Sequence, residues 1–192
     1  MIKAIFILEK LTKEKIDQVT ELQTNTIFIN DQNFLANSNY LNNWKGKIYI
    51  EVPVFQGEER WNKYPNSRPV DKNGKPLEKI NWYAGVCPNN PQVRRDIHVS
   101  INQLIEAYPV DGLWLDFIRY PNHWEEVRSD TITEYCFCAI CLEKFKKDGG
   151  IKPEGKEWIE WKCSQITKFV TEVKILVHQQ RRNIKFGIFA VP

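Results

Sequence analysis

No stretch of this chain reaches the roughly eighteen consecutive apolar residues that a membrane-spanning helix requires, so none is expected. The amino terminus lacks the basic, then apolar, then small-residue pattern of a secretion signal, which points to a cytoplasmic protein. Long basic tracts are missing too, and 27 lysines and arginines stand against 24 acidic residues for a net charge of +3. That balance excludes nucleic acid as the default partner. Cysteine is scarce, five in 192 residues. Three of the five crowd into Cys136-Phe137-Cys138-Ala139-Ile140-Cys141, a spacing too tight for unstrained disulfides. What the chain does have is flat aromatic side chains, seven Trp and seven Tyr. Several lie in polar contexts such as Arg60-Trp61-Asn62 and His123-Trp124-Glu125. Rings of this kind suit the faces of sugars, and they suit loop packing as well.

The length fits a single domain spanning residues 1–192. Apolar β-branched runs at Ile2 to Leu8, Thr26 to Asn30, Lys47 to Phe55, Val110 to Asp116 and Ile184 to Pro192 alternate with helical patterns or long loops. Alternation of this kind predicts an α/β fold with a parallel sheet. Thr12 is placed to cap a helix carrying Ile16, Val19 and Leu22, and Pro53 should end or bulge the third strand. The Asn-rich stretch after Asn30 reads as a connection, and residues 56–80, punctuated by Gly and Pro, read as a long surface loop. A helix is expected from about Gln92 to Tyr108, with His98 partly buried beside its apolar stripe. A longer one is expected from about Lys156 to Arg181, with Ile159, Ile166, Phe169, Val170, Val173 and Val177 inward. Five strands fall short of the eight of a closed (β/α)8 barrel. The expectation is a partial TIM-type barrel, truncated after the fifth strand, whose open edges a missing C-terminal half or a second copy in a homo-oligomer would cover.

The stretch Val110-Asp111-Gly112-Leu113-Trp114-Leu115-Asp116-Phe117-Ile118-Arg119-Tyr120-Pro121 has the form of a buried strand whose carboxyl end opens onto polar residues. In an α/β barrel the reacting groups stand at such ends, so Asp116 is a candidate nucleophile, acid or base. A loop-capping Asp paired with Arg119 is the structural alternative. Glu51, deep in the third strand, is a second candidate catalytic carboxyl group, and Glu125 and Glu126 are looser ones. The three clustered thiols favour metal coordination, since a reducing compartment disfavours disulfides. Zinc takes four ligands in a structural site. The fourth is Cys87, in a loop framed by Gly and Pro, or Cys163 within the long helix; the loop favours Cys87. Five free thiols would be the plain alternative.

The segments Trp82-Tyr83-Ala84-Gly85-Val86-Cys87-Pro88-Asn89-Asn90-Pro91, Val110 to Pro121 and Cys136 to Cys141 together resemble the glycoside-hydrolase-like TIM-barrel family. More distantly, they are similar to zinc-containing bacterial β-galactosidases, in which a Cys-Pro-Asn segment and a later Cys-x-Cys-x-x-Cys cluster hold one structural zinc. The resemblance covers roughly Lys47 to Pro192. It implies a barrel acting on carbohydrate, a zinc ion held by Cys87, Cys136, Cys138 and Cys141, and Asp116 as the catalytic carboxylate with Arg119 holding it ionised. Arg119, Tyr120, His123 and Trp124 then become candidate substrate-binding residues. One departure stands out: those β-galactosidases carry an Asn-Glu pair after the strand Asp, and here the positions are Phe117 and Ile118. The Glu acid/base is therefore absent, which leaves open a non-catalytic carbohydrate-binding barrel fragment whose one metal is structural.

Overall fold

Five short runs of β-branched and aromatic residues form one parallel sheet: β1 (Ala4–Ile7), β2 (Thr26–Asn30), β3 (Lys47–Pro53), β4 (Gly112–Asp116) and β5 (Lys185–Ile188). They lie side by side in chain order, every neighbouring pair parallel. The computed structural model describes residues 3–122 and 133–189. It divides into two units, one of residues 1–53, 102–116 and 176–192, the other of residues 54–101 and 117–175.

The sheet belongs wholly to the first unit, and its two faces differ in kind. Ile27, Ile29, Ile50, Val52, Leu113 and Leu115 alternate onto one face and are at most 5% exposed. Each such side chain contributes about 1.5–3 kcal/mol by leaving water. The other face carries a row of rings, with Phe6 stacked on Phe28 at 4.7 Å, Phe28 beside Tyr49 at 5.0 Å and Tyr49 beside Trp114 at 4.9 Å. Phe189, just past β5, reaches Phe6 of β1 at 5.3 Å. Glycines make room for this row: a Cβ at Gly187 would lie 2.2 Å from the Trp114 indole, and one at Gly112 would lie 2.4 Å from the Tyr49 ring.

Helix α1 (Lys13–Glu21) starts where Thr12 accepts from the Lys15 amide. α2 (Asp31–Asn37) starts on Asn30, whose side chain accepts from the Gln32 amide. The Asn-rich connection therefore holds a helix, because Asn30 and Asp31 serve as cap and first-turn acid and Phe34 is buried beneath them. β3 stops at Pro53, one of the two outcomes expected there, since proline has no amide to donate to the ladder. Arg181 donates to the carbonyls of Ile105, Tyr108 and Val110 at 2.6–3.0 Å.

The second unit holds α3 (Glu58–Lys63), α5 (Ala139–Lys147), the first part of α4 (Pro91–Ala107) and most of α6 (Gly155–Gln180). The expected surface loop of residues 56–80 is thus partly helical. It is pinned by buried Trp61, whose indole donates to the Gly85 carbonyl at 3.0 Å and lies under the Arg68 guanidinium. The face of α6 differs from expectation at its start. Ile159 is 54% exposed, while Trp158, Trp161, Gln165 and Phe169 turn inward. The two indoles stack at 4.9 Å against Phe145, and their larger apolar area decides which side of the helix is buried. His98 is half-buried as expected, stacked on Phe169, and burial holds its imidazole below the usual histidine range.

Candidate carboxyl row and cysteine centre

Three neighbouring strands of the first unit carry a polar residue at or near their carboxyl ends. In register, Asn30 stands opposite Glu51, Glu51 opposite Trp114, and Pro53 opposite Asp116. Side chains alternate along a strand, so Asn30, Glu51 and Asp116 share the aromatic face, at the carboxyl ends of the strands. Glu51 is half-buried there, and its carboxyl group is pushed from the ordinary 4.5 up to about 7. Burial is the leading cause, followed by a hydrogen bond with Asp116 and the charges of Asp116 and Asp31. Two ionised carboxylates are both acceptors, so this hydrogen bond needs one shared proton. Below about pH 7 Glu51 keeps this proton. Asp31 was not singled out in the sequence; its signal was the switch to polar residues directly after β2.

The remaining candidates fall in the second unit or outside the description. Arg119 lies with its guanidinium over the rings of Tyr83 and Phe117, at 5.9 and 5.8 Å. Phe117 follows Asp116 in the left-handed region, φ 51°, a conformation that bulky residues adopt only where the surroundings hold them. Its ring sits against Tyr83 and the half-exposed Trp82. Tyr120 packs against the cysteine cluster. His123, Trp124, Glu125 and Glu126 lie outside the described residues.

In the second unit the loop thiol and the clustered thiols meet. Cys87, Cys136, Cys138 and Cys141 are all buried, and their sulfurs lie within 4.8 Å of one another. Cys87 Sγ is 3.5 Å from both Cys138 Sγ and Cys141 Sγ. Cys163 is exposed. The local sequence explains the convergence: Cys138 is the N-cap of α5, Cys141 lies in its first turn, and Cys87 precedes a turn closed by the Asn90 amide on the Cys87 carbonyl at 3.1 Å. Asn90 then caps α4, accepting from the Gln92 and Val93 amides. Among the sulfurs, hydrogen bonds from Cys136, Cys141 and Cys87 pull the Cys138 thiol below the usual range. The same network, with Cys136 foremost, pushes Cys87 and Cys141 up. Four sulfurs this close cannot all be anionic without a cation, so the cluster is one that a metal ion would complete.

Around the thiols stand residues that the sequence reading passed over. The Asn89 amide donates to Tyr120 Oη at 2.7 Å and to Cys141 Sγ at 3.4 Å. Lys144 donates to Asn89 Oδ1 at 3.4 Å. Lys162 is nearly buried, paired with Glu134 and set over the rings of Tyr120, Phe137 and Trp158. Burial and the charges of the nearby cysteines hold the Tyr120 hydroxyl far above the usual tyrosine range.

Residues 59–192 match the family model described as Glycosyl hydrolase-like 10. Solved structures similar in fold include α-L-fucosidase isoenzyme 2 from Paenibacillus thiaminolyticus, with TM-score 0.73 and 14% identity over 99% of this chain and 33% of that one. A β-galactosidase from Halorubrum lacusprofundi follows at TM-score 0.69 and 10% identity, over 97% and 36%. A β-galactosidase from Rahnella sp. R3 gives 0.69 and 14%, over 90% and 32%. The chain thus spans about a third of the length of these structures. No curated protein matches. With these likenesses, the five parallel strands are a partial barrel of the TIM type.

Proposed function

Because this chain belongs to the Glycosyl hydrolase-like 10 family, we propose that it carries the nucleophile side of a glycoside hydrolase acting on the O-glycosyl bond of a carbohydrate. The observation that carries this reading is Asp116 at the carboxyl end of β4, beside Glu51, whose carboxyl group is pushed up to about 7. With its proton, Glu51 donates to Asp116 and holds that side chain in one orientation, as an attacking or charge-stabilising group must be held. Glu51 is then the partner of Asp116 and not the group across the scissile bond. Carboxyl groups that flank a glycosidic bond stand about 5 Å apart in retaining enzymes and about 6.5–9.5 Å in inverting ones. A hydrogen-bonded pair is closer than either. Glu125 and Glu126, in the segment after β4, are the candidates within this chain for the opposing acid. Arg119, Tyr120, His123 and Trp124 remain the proposed substrate side of that segment. Tyr120 would act through the cysteine centre against which it packs.

The same reading places one zinc ion on Cys87, Cys136, Cys138 and Cys141. A tetrahedral ion with Zn–S bonds of about 2.3 Å needs sulfurs about 3.8 Å apart, and the sulfur spacings here fit it. Four thiolates leave no open position, so the ion braces the fold and takes no part in bond cleavage. Zinc analysis of the parent and of Cys87→Ser tests this: one ion per chain falling to well below one is expected, and full retention in the variant would remove Cys87 from the ligand set.

Asp116→Asn, in the longest chain that carries this sequence, is assayed on a panel of aryl glycosides. Turnover falling by about 10²–10⁴-fold is expected; unchanged turnover would exclude Asp116 from the chemistry. Phe117 and Ile118 at the positions of the β-galactosidase Asn-Glu pair favour one rival, a carbohydrate-binding barrel without activity. Glycan binding by the parent with no hydrolysis anywhere in the panel would select it.

A further inference from the structure

The cysteine centre has a built surround that the coordination count does not use. Asn89 is 4% exposed, and its amide group is completely engaged. One N–H goes to Cys141 Sγ, the other to Tyr120 Oη, and the carbonyl oxygen accepts from Lys144. An amide held at both ends cannot swing away from the sulfur. The Lys144 ammonium also polarises it, which strengthens the N–H donor. Four thiolates and one divalent cation carry a net charge of −2, and a donor aimed at one sulfur offsets part of it without a fifth ligand. The ammonium of Lys162, set over three rings beside the cluster, adds a second cation to the same surround. Tyr120, for its part, belongs to the segment that leaves β4 after Asp116. The hydrogen-bond chain Cys141–Asn89–Tyr120 therefore joins a metal ligand to that segment.

We propose that Asn89 is the outer-sphere clamp of the metal centre, stabilising the four-thiolate site through Cys141 and fastening residues 117–122 to it through Tyr120. The proposal rests on the metal reading above and assigns the metal centre a second role, as the anchor of the segment that follows Asp116. Outer-sphere partners of this sort are worth 10–100-fold in metal affinity.

The test uses the whole chain with zinc alone as ligand. Zinc affinity is measured by competition with a chromophoric chelator, and the thiolate-to-metal absorption band is recorded after cobalt substitution. Asn89→Ala is expected to weaken zinc by about 10–100-fold and to shift the cobalt band. Should the alanine variant fail to fold, Asn89→Asp, of equal size but with an acceptor facing the sulfur, is expected to weaken zinc at least as much. Tyr120→Phe keeps the Asn89 contact with Cys141, so its zinc affinity is expected to stay within about threefold of the parent, well below the outer-sphere loss. In the parent, amide hydrogen exchange across residues 117–122 should slow when zinc is added, and in that variant it should not. Asn89 variants that match the parent in affinity and in cobalt spectrum would overturn the clamp while leaving the metal site standing. A parent chain that binds no zinc would overturn both.

Discussion

Replacing Glu51 by Gln isolates the shared proton of the carboxyl row. Gln has the shape of the protonated acid and keeps an N–H to give Asp116, but it never ionises. In the parent, folding raises the Glu51 carboxyl from 4.5 to about 7, so the folded state holds the proton more tightly than the unfolded chain. The stability this contributes is fully present below pH 4.5 and is lost as pH rises through 7. For a fully shielded group that displacement corresponds to about 3 kcal/mol. Glu51 is half-buried, and screening by solvent reduces the figure to about 1–2 kcal/mol. Glu51→Gln should therefore match the parent at pH 4.5 and exceed it at pH 8, by about 2–8 °C in Tm for a chain of this size. Thermal unfolding followed by circular dichroism at the two pH values measures the difference directly. In an Asp116→Asn background the gain should shrink, because the nearest charge is gone and only burial and the Asp31 charge still raise the carboxyl group. A Tm gap of equal size at both pH values, or a parent more stable than the variant at pH 8, would refute the proton-sharing geometry.

Two further outcomes test the packing of the first unit. Arg181→Met removes charged hydrogen bonds from three backbone carbonyls around the end of α4 and should lower stability by about 2–3 kcal/mol. A Tm within about one degree of the parent would mean that water replaces the guanidinium without loss. Gly187→Ala drives a methyl group to within 2.2 Å of the Trp114 indole, and should cost about 1–3 kcal/mol. The displaced ring should shift the tryptophan fluorescence, and an unchanged spectrum with unchanged Tm would show that β5 has room to move.

The five strand segments could be read from residue patterns, since alternation and strand ends depend on interactions between neighbours in sequence. A β-branched run that ends in a polar residue announces a strand end wherever it occurs, and so Asp116 stood out; Glu51 stood out as an acid deep inside an apolar run. Helix α2 did not, because Asn and Asp read equally as loop residues and as caps; Phe34 finding a buried place decides between them. Nor could the inward face at the start of α6 be read, because Ile159 and Trp158 are both apolar and only the stack on Phe145 and Trp161 chooses one.

The sequence by itself determined the parallel α/β pattern, the cap at Thr12, the stop at Pro53, and a thiol cluster in want of a fourth ligand. Only the tertiary structure brought Cys87 to Cys136, Cys138 and Cys141 and left Cys163 in solvent. It alone set Glu51 beside Asp116 and near Asp31, and put Asn89 between a sulfur and Tyr120. Local propensities act over a few residues. Proton sharing and metal-ligand geometry depend on distances of a few ångströms between groups some fifty to sixty-five positions apart, and those distances are fixed by strand register and core packing.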